Sequence, residues 1–411
     1  MYIRMDVLCR RMSHALDVIE REILGVSEHH SMRIAALCAA LGRKLGFSDN
    51  ALSALTTCAL FHDNALTEYI LSEKPNDDQQ RNVRVHCELG ERNVKCLPFK
   101  EDVSGFVLYH HEKSNGTGPF GKKEGDYPFE AALISMVDML DVARPFHRLS
   151  AAELPDLRRR VAGMAGNAAP REAVDALLEA LNEEMLLSLQ DERIENTIAE
   201  AVPVWNVADD DPAIIGIASV IARIIDYKSV FTRKHTVQIA NRTWVMSGRY
   251  GFDEVTKTKL YLAAALHDIG KTATPTEILE KPGQLTREEF QVIKQHVHDT
   301  YDWLHDIPGL EDICRWASSH HEKLDGNGYP FGKKADEQDF NSRLLACLDI
   351  YQAVREERPY HPARTHDEAM EILSQVAKKG QIDGEIVEDI GAAMNCYTNK
   401  DIPAPSVATD I

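Results

Sequence analysis

Apolar residues recur at intervals of three and four along almost the whole chain, which is the spacing of amphipathic helices. The segments EAVDALLEALNEEMLLSL (172–189) and DEVTKTKLYLAAALHD (253–268) show this spacing clearly. Runs in which apolar and polar residues alternate, as they do in half-buried strands, are almost absent. The pattern therefore predicts an all-α fold.

Two helix boundaries are marked by capping residues. Asp253 precedes an apolar run and predicts a helix that continues to Gly270. Thr286 is followed three residues later by Glu289, the pattern of a capping box, and predicts the start of the helix that carries His296. Loops rich in Gly, Asn and Pro then interrupt the helical pattern.

Short sequences of the first half occur again in the second half. HHEKSNGTGP at 110–119 reappears as HHEKLDGNGYP at 320–330. Further histidines and aspartates repeat at offsets of 205 to 211 residues, namely His30 and His235, His62 and His267, Asp63 and Asp268, His86 and His296, Asp138 and Asp349. A repeat of this length indicates a tandem of two homologous domains, which we place at 1–200 and 213–398.

Composition and charge exclude several classes of partner and location. The chain has 411 residues and a net charge of −19, which argues against a nucleic-acid polymer or an anionic membrane as partner. It contains no apolar run of 18 residues and its first residues, MYIRMDVLCRRM, lack the apolar core of a signal peptide. Eight cysteines without a CxxC pair suit reduced thiols. We expect a cytoplasmic protein.

The second half contains more candidate metal ligands than one tetrahedral zinc site can use. They are five imidazoles and two carboxylates: His235, His267, Asp268, His296, His320, His321 and Asp349. Such a set suits two ions that share one carboxylate, for which Asp268 is the natural choice. Two ions about 4 Å apart would hold a hydroxide and direct it at a phosphorus atom. Lys271 could neutralise charge on the phosphoryl oxygens.

These motifs together resemble the HD-GYP family of bacterial cyclic-dinucleotide phosphodiesterases. The resemblance rests on HDIGK at 267–271, EILEKPGQLTREE at 277–289, the HHEKLDGNGYP loop and Asp349, and covers roughly 213–398. It implies that the seven candidates are metal ligands and that His267, Asp268 and Lys271 are catalytic, with Lys271 at the scissile phosphate. It also implies that Tyr329 and Arg358 hold the dinucleotide; His361 is a weaker candidate.

The activity implied by the resemblance is hydrolysis of cyclic di-GMP, of 3′,3′-cyclic GMP-AMP, or of both. A hydroxide bridging two metals would open the ring to a linear dinucleotide, with further cleavage to mononucleotides left open. An imidazole and carboxylate set suits iron or manganese, and also accepts nickel or zinc.

Two positions depart from the family pattern. Family members with three metals have a glutamate four residues before the first histidine, where this chain has Phe231. We therefore predict two metals in the second half. The family also has an aspartate three residues after the last ligand, where this chain has Gln352. We expect this change to alter the support of the ligands or the placement of Lys271.

The first half keeps the ligand pattern and loses its surroundings. The retained residues are His30, His62, Asp63, His86, His110, His111 and Asp138. Leu66 replaces the lysine, Pro119 follows Gly118 where the tyrosine stood, and only Glu-Lys-Pro at 73–75 remains of the 277–289 segment. We predict a degenerate metal site without turnover, in a regulatory or structural domain. The alternative is a set of hydrogen-bonded polar residues without metal.

Two other functions remain open for the whole chain. The first is a non-hydrolytic receptor, in which bound dinucleotide is reported to a protein partner. The second is a nucleotide phosphohydrolase of the wider HD group, which the GYP loop disfavours. The second-half histidines could also be structural residues on helix faces, although their number and spacing favour metal binding. A protein partner or a homodimer is left open.

Overall fold

The computed structural model describes residues 2–66, 68–69, 79–229, 234–356, 363–398 and 401–405. These residues form helices joined by turns, and two three-residue strands, β1 (Tyr2–Arg4) and β2 (Asn206–Ala208), pair with each other. The all-α prediction is confirmed. Four predicted features lie outside the described residues, namely Phe231, Arg358, His361 and the 73–75 segment.

The chain divides into two compact units. The first unit is Arg4–Asn206, and the second unit is Val207–Ile411 together with Met1–Ile3. The sequence places its two domains at 1–200 and 213–398, and the roles assigned to them stay predictions.

The first unit contains nine helices among the residues that are described. In chain order they are α1 (Met5–Leu24), α2 (His30–Lys44), α3 (Asp49–Leu60), α4 (Gln79–Val94), α5 (Phe129–Ala143), α6 (Leu154–Ala162), α7 (Arg171–Ala180), α8 (Glu183–Ser188) and α9 (Ile194–Ala201). Helix α2 is central, because it packs against α1, α3, α5, α7 and α9. Its buried residues include both apolar side chains and Arg33.

The second unit repeats the order of the helices that carry the motifs. Its described helices are α10 (Ala213–Asp226), α11 (His235–Arg249), α12 (Glu254–Leu266), α13 (Thr276–Leu279), α14 (Arg287–Leu304), α15 (Glu311–Ala317), α16 (Phe340–Arg355), α17 (His366–Lys378) and α18 (Gly384–Met394). Helix α12 is buried from Thr258 to Leu266 and packs against α10, α11 and α15. A second apolar cluster joins α11, α16, α17 and α18.

The capping residues lie where the sequence predicts them. The side chain of Asp253 accepts a hydrogen bond from the Thr256 amide at the start of α12, and Thr286 and Glu289 form a capping box at the start of α14. The predicted continuation of α12 to Gly270 is wrong. The α-helix ends at Leu266 because Asp268 leaves helical geometry (φ −105°, ψ 11°), and a short 3-10 helix follows.

All eight cysteines are described and free, and six of them are buried as small core residues. Within the described residues, each helix is too short or too polar to span a lipid bilayer.

Candidate metal centre

Five segments of the second unit bring the predicted ligands to one place. His235 is the first residue of α11, and His267 and Asp268 directly follow α12. His296 lies in the middle of α14, the His320-His321 pair follows α15, and Asp349 lies on α16. Six of these seven residues are buried, and the side chain of His321 is 27% exposed. The ligands are therefore held by rigid elements rather than by one loop.

The two oxygens of Asp268 face two different groups of histidines. Oδ2 lies 3.3 Å from His267 Nε2 and 3.7 Å from His235 Nε2. Oδ1 lies 3.3 Å from His296 Nε2 and 3.7 Å from His320 Nε2. The carboxylate thus lies between two sets of nitrogen donors, the geometry needed to bridge two cations.

Asp349 completes the two sets. Its Oδ1 lies 3.4 Å from His235 Nε2, and its Oδ2 lies 3.6 Å from His321 Nδ1. Possible ligand atoms form two groups, and the atoms inside each group lie within 4.8 Å of one another. The first group is His235, His267 and Asp268, and the second is His296, His320 and His321. The structure therefore brings together all seven predicted ligands.

Backbone carbonyl groups orient three of the imidazoles. The Nδ1 atoms of His267, His296 and His320 each lie 2.5–2.7 Å from the carbonyl oxygen three residues earlier. Because a carbonyl can only accept, each Nδ1 carries the proton and each Nε2 presents a lone pair to the centre. These are the tautomers that metal binding requires.

The charges of the site also suit a cation. Burial, together with repulsion from other imidazoles, lowers the pKa of His320, and burial lowers that of His321 to about 3. Burial works against ionisation of both carboxylates, but other charges outweigh it. Neighbouring imidazoles and Lys271 lower the pKa of Asp268, and neighbouring imidazoles lower that of Asp349. The site therefore offers neutral nitrogens and ionised carboxylates.

His235 differs from the other histidines. Burial disfavours its protonated form, but attraction to Glu356 and the contact with Asp349 outweigh burial and raise its pKa to about 10. Its Nδ1 lies 2.9 Å from Glu356, a residue that the sequence motifs do not identify. A proton on His235 must therefore be displaced when a cation binds.

Several buried atoms have no partner within the described chain. The Nε2 atoms of His235 and His267 and Oδ1 of Asp268 are buried without a hydrogen bond. Unsatisfied buried groups are costly, and a pair of divalent cations would satisfy them. The residues present thus fit a metal pair, without identifying the metal.

The predicted substrate contacts lie beside this centre. Lys271 belongs to the 3-10 helix Ile269–Ala273, and its Nζ lies 2.5 Å from Asp268 Oδ2. The ring of Tyr329 packs on His321 with centroids 4.9 Å apart, and Nζ of Lys294 lies 4.7 Å from the Tyr329 centroid. The sequence motifs do not identify Lys294; its counterpart in the first unit is Arg84, which lies over the ring of Phe120.

Gly270 is required by a close approach of backbones. A methyl group at Gly270 would lie 2.0 Å from the carbonyl oxygen of His296. The turn that carries Asp268 and Lys271 therefore packs directly on α14, and this contact places His296 opposite Asp268.

A buried glutamate fixes the GYP loop. Glu322 accepts backbone hydrogen bonds from Phe331, Gly332 and Lys333 at 2.7–3.1 Å. A methyl group on Gly328 would lie 2.3 Å from the Lys323 amide nitrogen, so the loop folds tightly over this glutamate. The His-His-Glu sequence occurs in both halves, and that repetition was a signal that could have identified the role of Glu322.

The first unit reproduces the ligand geometry. Oδ2 of Asp63 lies 3.4 Å from His62 Nε2, and its Oδ1 lies 2.8 Å from His86 Nε2 and 3.5 Å from His110 Nε2. Oδ1 of Asp138 lies 3.3 Å from His30 Nε2, and its Oδ2 lies 3.9 Å from His111 Nδ1. All seven predicted residues of the degenerate site are therefore also brought together.

An additional carboxylate of the first unit was missed by the sequence analysis. Glu20 on α1 is 3% exposed, and neither of its oxygens has a partner within the described chain. Burial and the nearby charges of Asp63 and Asp17 raise its pKa well above the ordinary value. A buried carboxylate among other carboxylates favours a bound cation or a retained proton. In the sequence it stands among other charged residues, Asp17, Arg21 and Glu22, and nothing distinguishes it from them.

Leu66 stands in the first unit where Lys271 stands in the second, and it is half-buried. Gly118 is followed by Pro119, and Glu112 accepts backbone hydrogen bonds from Phe120 and Lys122 as Glu322 does in its own loop. The first unit therefore keeps the ligands and the loop anchor, and lacks the lysine and the tyrosine.

Comparison with known proteins gives the same assignment to both units. The family model for the HD domain matches residues 12–168 and 219–386. The chain is 26% identical over 393 residues to 3′3′-cGAMP-specific phosphodiesterase 1 of Vibrio cholerae, covering 92% of this chain and 89% of that protein. It is 33% identical over 165 residues to a cyclic di-GMP phosphodiesterase of Thermotoga maritima, covering 40% of this chain and 45% of that one.

The fold also matches a solved structure. The crystal structure of a cyclic GMP-AMP specific phosphodiesterase of V. cholerae (V-cGAP3) superposes with a TM-score of 0.65 at 21% identity, over 97% of this chain and 100% of that chain. Together with the two matched regions, this likeness identifies the tandem helical fold. The chain belongs to the HD domain family and carries two HD regions of the HD-GYP type.

Proposed function

We propose that the chain is a metal-dependent cyclic-dinucleotide phosphodiesterase whose active site is the centre around Asp268. The observation that carries this proposal is the position of that carboxylate, with one oxygen toward His235 and His267 and the other toward His296 and His320. Lys271 lies against the same carboxylate. This arrangement suits two divalent ions, of which iron or manganese fits the donors well and nickel or zinc is also accepted.

The residues around the centre have separable roles. A pair of divalent ions would supply an activated water for attack on phosphorus and would screen the phosphate charge. Lys271 can turn from Asp268 toward a phosphoryl oxygen and stabilise the charge that develops there. Tyr329 packs on His321 and forms one wall against which a nucleotide can lie. The reaction breaks one P–O bond of the ring and gives a linear dinucleotide.

The substrate that we infer first is 3′,3′-cyclic GMP-AMP. The relative that aligns with 92% of this chain is named for that substrate, whereas the cyclic di-GMP phosphodiesterase of T. maritima aligns with 40%. Cyclic di-GMP is the second candidate for the same site.

The first unit is assigned a non-catalytic role. Its ligands surround Asp63 as the others surround Asp268, but Leu66 stands at the position of the lysine. A leucine cannot stabilise charge on a phosphate. Because the ligand geometry is kept and the lysine is not, we assign the first unit to metal binding without turnover, as a regulatory or structural domain.

The two units supply a matched pair of variants for the test. The full chain is purified anaerobically, its metals are counted, and 3′,3′-cyclic GMP-AMP and cyclic di-GMP are each added to wild type, His267→Ala and His62→Ala. We expect wild type to convert the substrate to a linear dinucleotide, His267→Ala to lose this activity together with metal, and His62→Ala to lose metal but keep turnover.

Two outcomes would contradict the proposal. Wild type that holds two ions in the second unit and turns over no cyclic dinucleotide would support the receptor function instead. Complete loss of activity in a folded His62→Ala would show that the first unit is needed for catalysis.

A further inference from the structure

The nitrogen of His235 that faces away from the centre contacts a carboxylate, as does its counterpart in the first unit. His30 Nδ1 lies 2.7 Å from Asp141, three residues after the ligand Asp138. His235 Nδ1 lies 2.9 Å from both oxygens of Glu356, seven residues after the ligand Asp349. The two units therefore hold the same imidazole with carboxylates from different positions.

The arginine that accompanies the carboxylate also stands at a different position in the two units. In the first unit Arg33 donates to Asp141 at 3.0 Å, and both side chains are fully buried. The positions aligned with this pair are Gln238 and Gln352 in the second unit. Arg242, four residues after Gln238, donates to Gln352 at 2.6 Å. Relative to the first unit, the arginine and the carboxylate therefore each lie four residues later in the chain.

Arg242 lies about one helical turn beyond Gln238 on α11, whereas Glu356 directly follows the last residue of α16 with an extended backbone. Gln352 links them: its Oε1 accepts from Arg242, and its Nε2 donates to Glu356 Oε1 at 2.7 Å. Arg242 and Gln352 are both fully buried, and Arg242 also lies over the ring of Tyr351 with its Cζ 4.9 Å from the centroid. The shifted network is consequently a packed part of the core.

We propose that Glu356 is the positioning residue of His235, and that Gln352 and Arg242 hold its carboxylate in place. The inference rests on the proposed metal centre. A carboxylate that accepts from one nitrogen of an imidazole fixes the tautomer and orientation of the ring and makes its other nitrogen a better ligand. Glu356 therefore supplies the carboxylate that is missing at position 352, where the first unit has Asp141. It supports the half of the centre that contains His235 and His267.

The test compares metal binding of three variants of the full chain, Glu356→Ala, Glu356→Gln and the double variant Glu356→Ala/Gln352→Asp. The probe is Mn²⁺, added to metal-free protein and followed by equilibrium binding and by metal counting. We expect Glu356→Ala to weaken one of the two ions of the second unit by about 10–100-fold. Glu356→Gln keeps an acceptor without the charge and should lose less. The double variant restores an aspartate at the first-unit position, next to Arg242, and should regain affinity.

Asp141→Asn is the matched control in the first unit, and we expect it to weaken an ion there without changing the second unit. Thermal unfolding of the metal-free proteins separates loss of fold from loss of positioning. If Glu356→Ala unfolds, Glu356→Gln and the double variant carry the comparison.

Wild-type Mn²⁺ affinity in folded Glu356→Ala, or no recovery in a folded double variant, would overturn the inference. The readout is independent of turnover. A protein that binds two ions and hydrolyses nothing would refute the proposed activity while leaving the role of Glu356 intact.

Discussion

The imidazoles of His267, His296 and His320 show how a ligand is prepared by its own helix. In each case the carbonyl oxygen three residues earlier lies 2.5–2.7 Å from Nδ1. Residues three apart are neighbours on a helical turn, so the contact needs no distant partner. A histidine within or directly after a helix thus points Nε2 in a direction that its own backbone determines.

Lys271 is a chemical difference between the two centres, because the first unit has Leu66 at the same position. We expect Lys271→Met to lower kcat by about 10²–10³-fold, because a donor aimed at developing charge is lost, while the metal content stays unchanged. Steady-state kinetics and metal counting on the same preparation check this. Lys379→Met, an exposed change at the end of α17, is the control. A loss of metal in proportion to the loss of rate would mean that Lys271 acts on the ligands instead.

Sequence patterns predict which side chains come together at each centre, and they predict the residues that support them poorly. The fourteen candidate ligands repeat at nearly constant offsets, so two copies identify them together. Glu20 and Glu356 have no such signal, because their roles depend on which helix face turns toward a centre formed by other segments. The sequence shows that Gln352 departs from the family pattern. It does not show that Glu356, four residues later, supplies the missing carboxylate, because that contact depends on the packing of α11 against α16.

At the scale of elements, the start of α11 is held by the end of α10. The carboxylate of Asp226 accepts the backbone amides of Thr236 and Val237 at 2.8 and 3.2 Å, directly after His235. Burial raises the pKa of Asp226 to about 7 in spite of these hydrogen bonds. Asp17 does the same for Ser31 beside His30 in the first unit. One buried carboxylate thus positions the first ligand helix in each unit.

Asp226→Asn should change how stability depends on pH. The folded pKa of Asp226, about 7, lies above its ordinary value of 3.8, so the native state holds a proton in that window that the unfolded state has released. The free energy of unfolding of metal-free wild type should therefore fall as pH rises from about 4 to 7. Asparagine cannot titrate, so the variant should lose the part of this slope that Asp226 contributes. Urea unfolding at several pH values measures it, and an unchanged slope would contradict the assignment.

The sequence predicts the ends of helices near the site less well than the helices themselves. Periodicity carries α12 on to Gly270, whereas the helix ends at Leu266. The turn after Leu266 packs directly on α14, where a Cβ atom at Gly270 would lie 2.0 Å from the carbonyl oxygen of His296. Local propensity cannot report a constraint that comes from another helix.

At the scale of the molecule, each unit surrounds a cluster of buried ionisable groups with an apolar shell. Such clusters destabilise the fold unless cations or protons balance them. The first unit has the greater need, because Glu20 joins Asp63 and Asp138 there. We infer that bound metal contributes to the stability of both units.

Metal removal should therefore lower the thermal stability of wild type in both units. Ions present at 100 times their dissociation constant stabilise by about 2.7 kcal/mol per site. In His62→Ala, only the second unit should still respond to a chelator, and in His267→Ala only the first. Calorimetry with and without chelator checks this. Equal responses of wild type and His62→Ala would contradict metal binding in the first unit.

The carboxylate that anchors each Gly-x-Gly loop has a consequence for how the chain tolerates change. Glu112 and Glu322 hold loops of different length with the same kind of bonds, so the anchored segment has already absorbed the gain or loss of one residue. Inserting a tyrosine between Gly118 and Pro119 should lower the free energy of unfolding of the first unit by about 1 kcal/mol or less. Its melting temperature should then shift by only a few degrees from that of wild type. The tyrosine of this loop can therefore be lost or gained in evolution by a single deletion or insertion, without a change in the helices that support the loop.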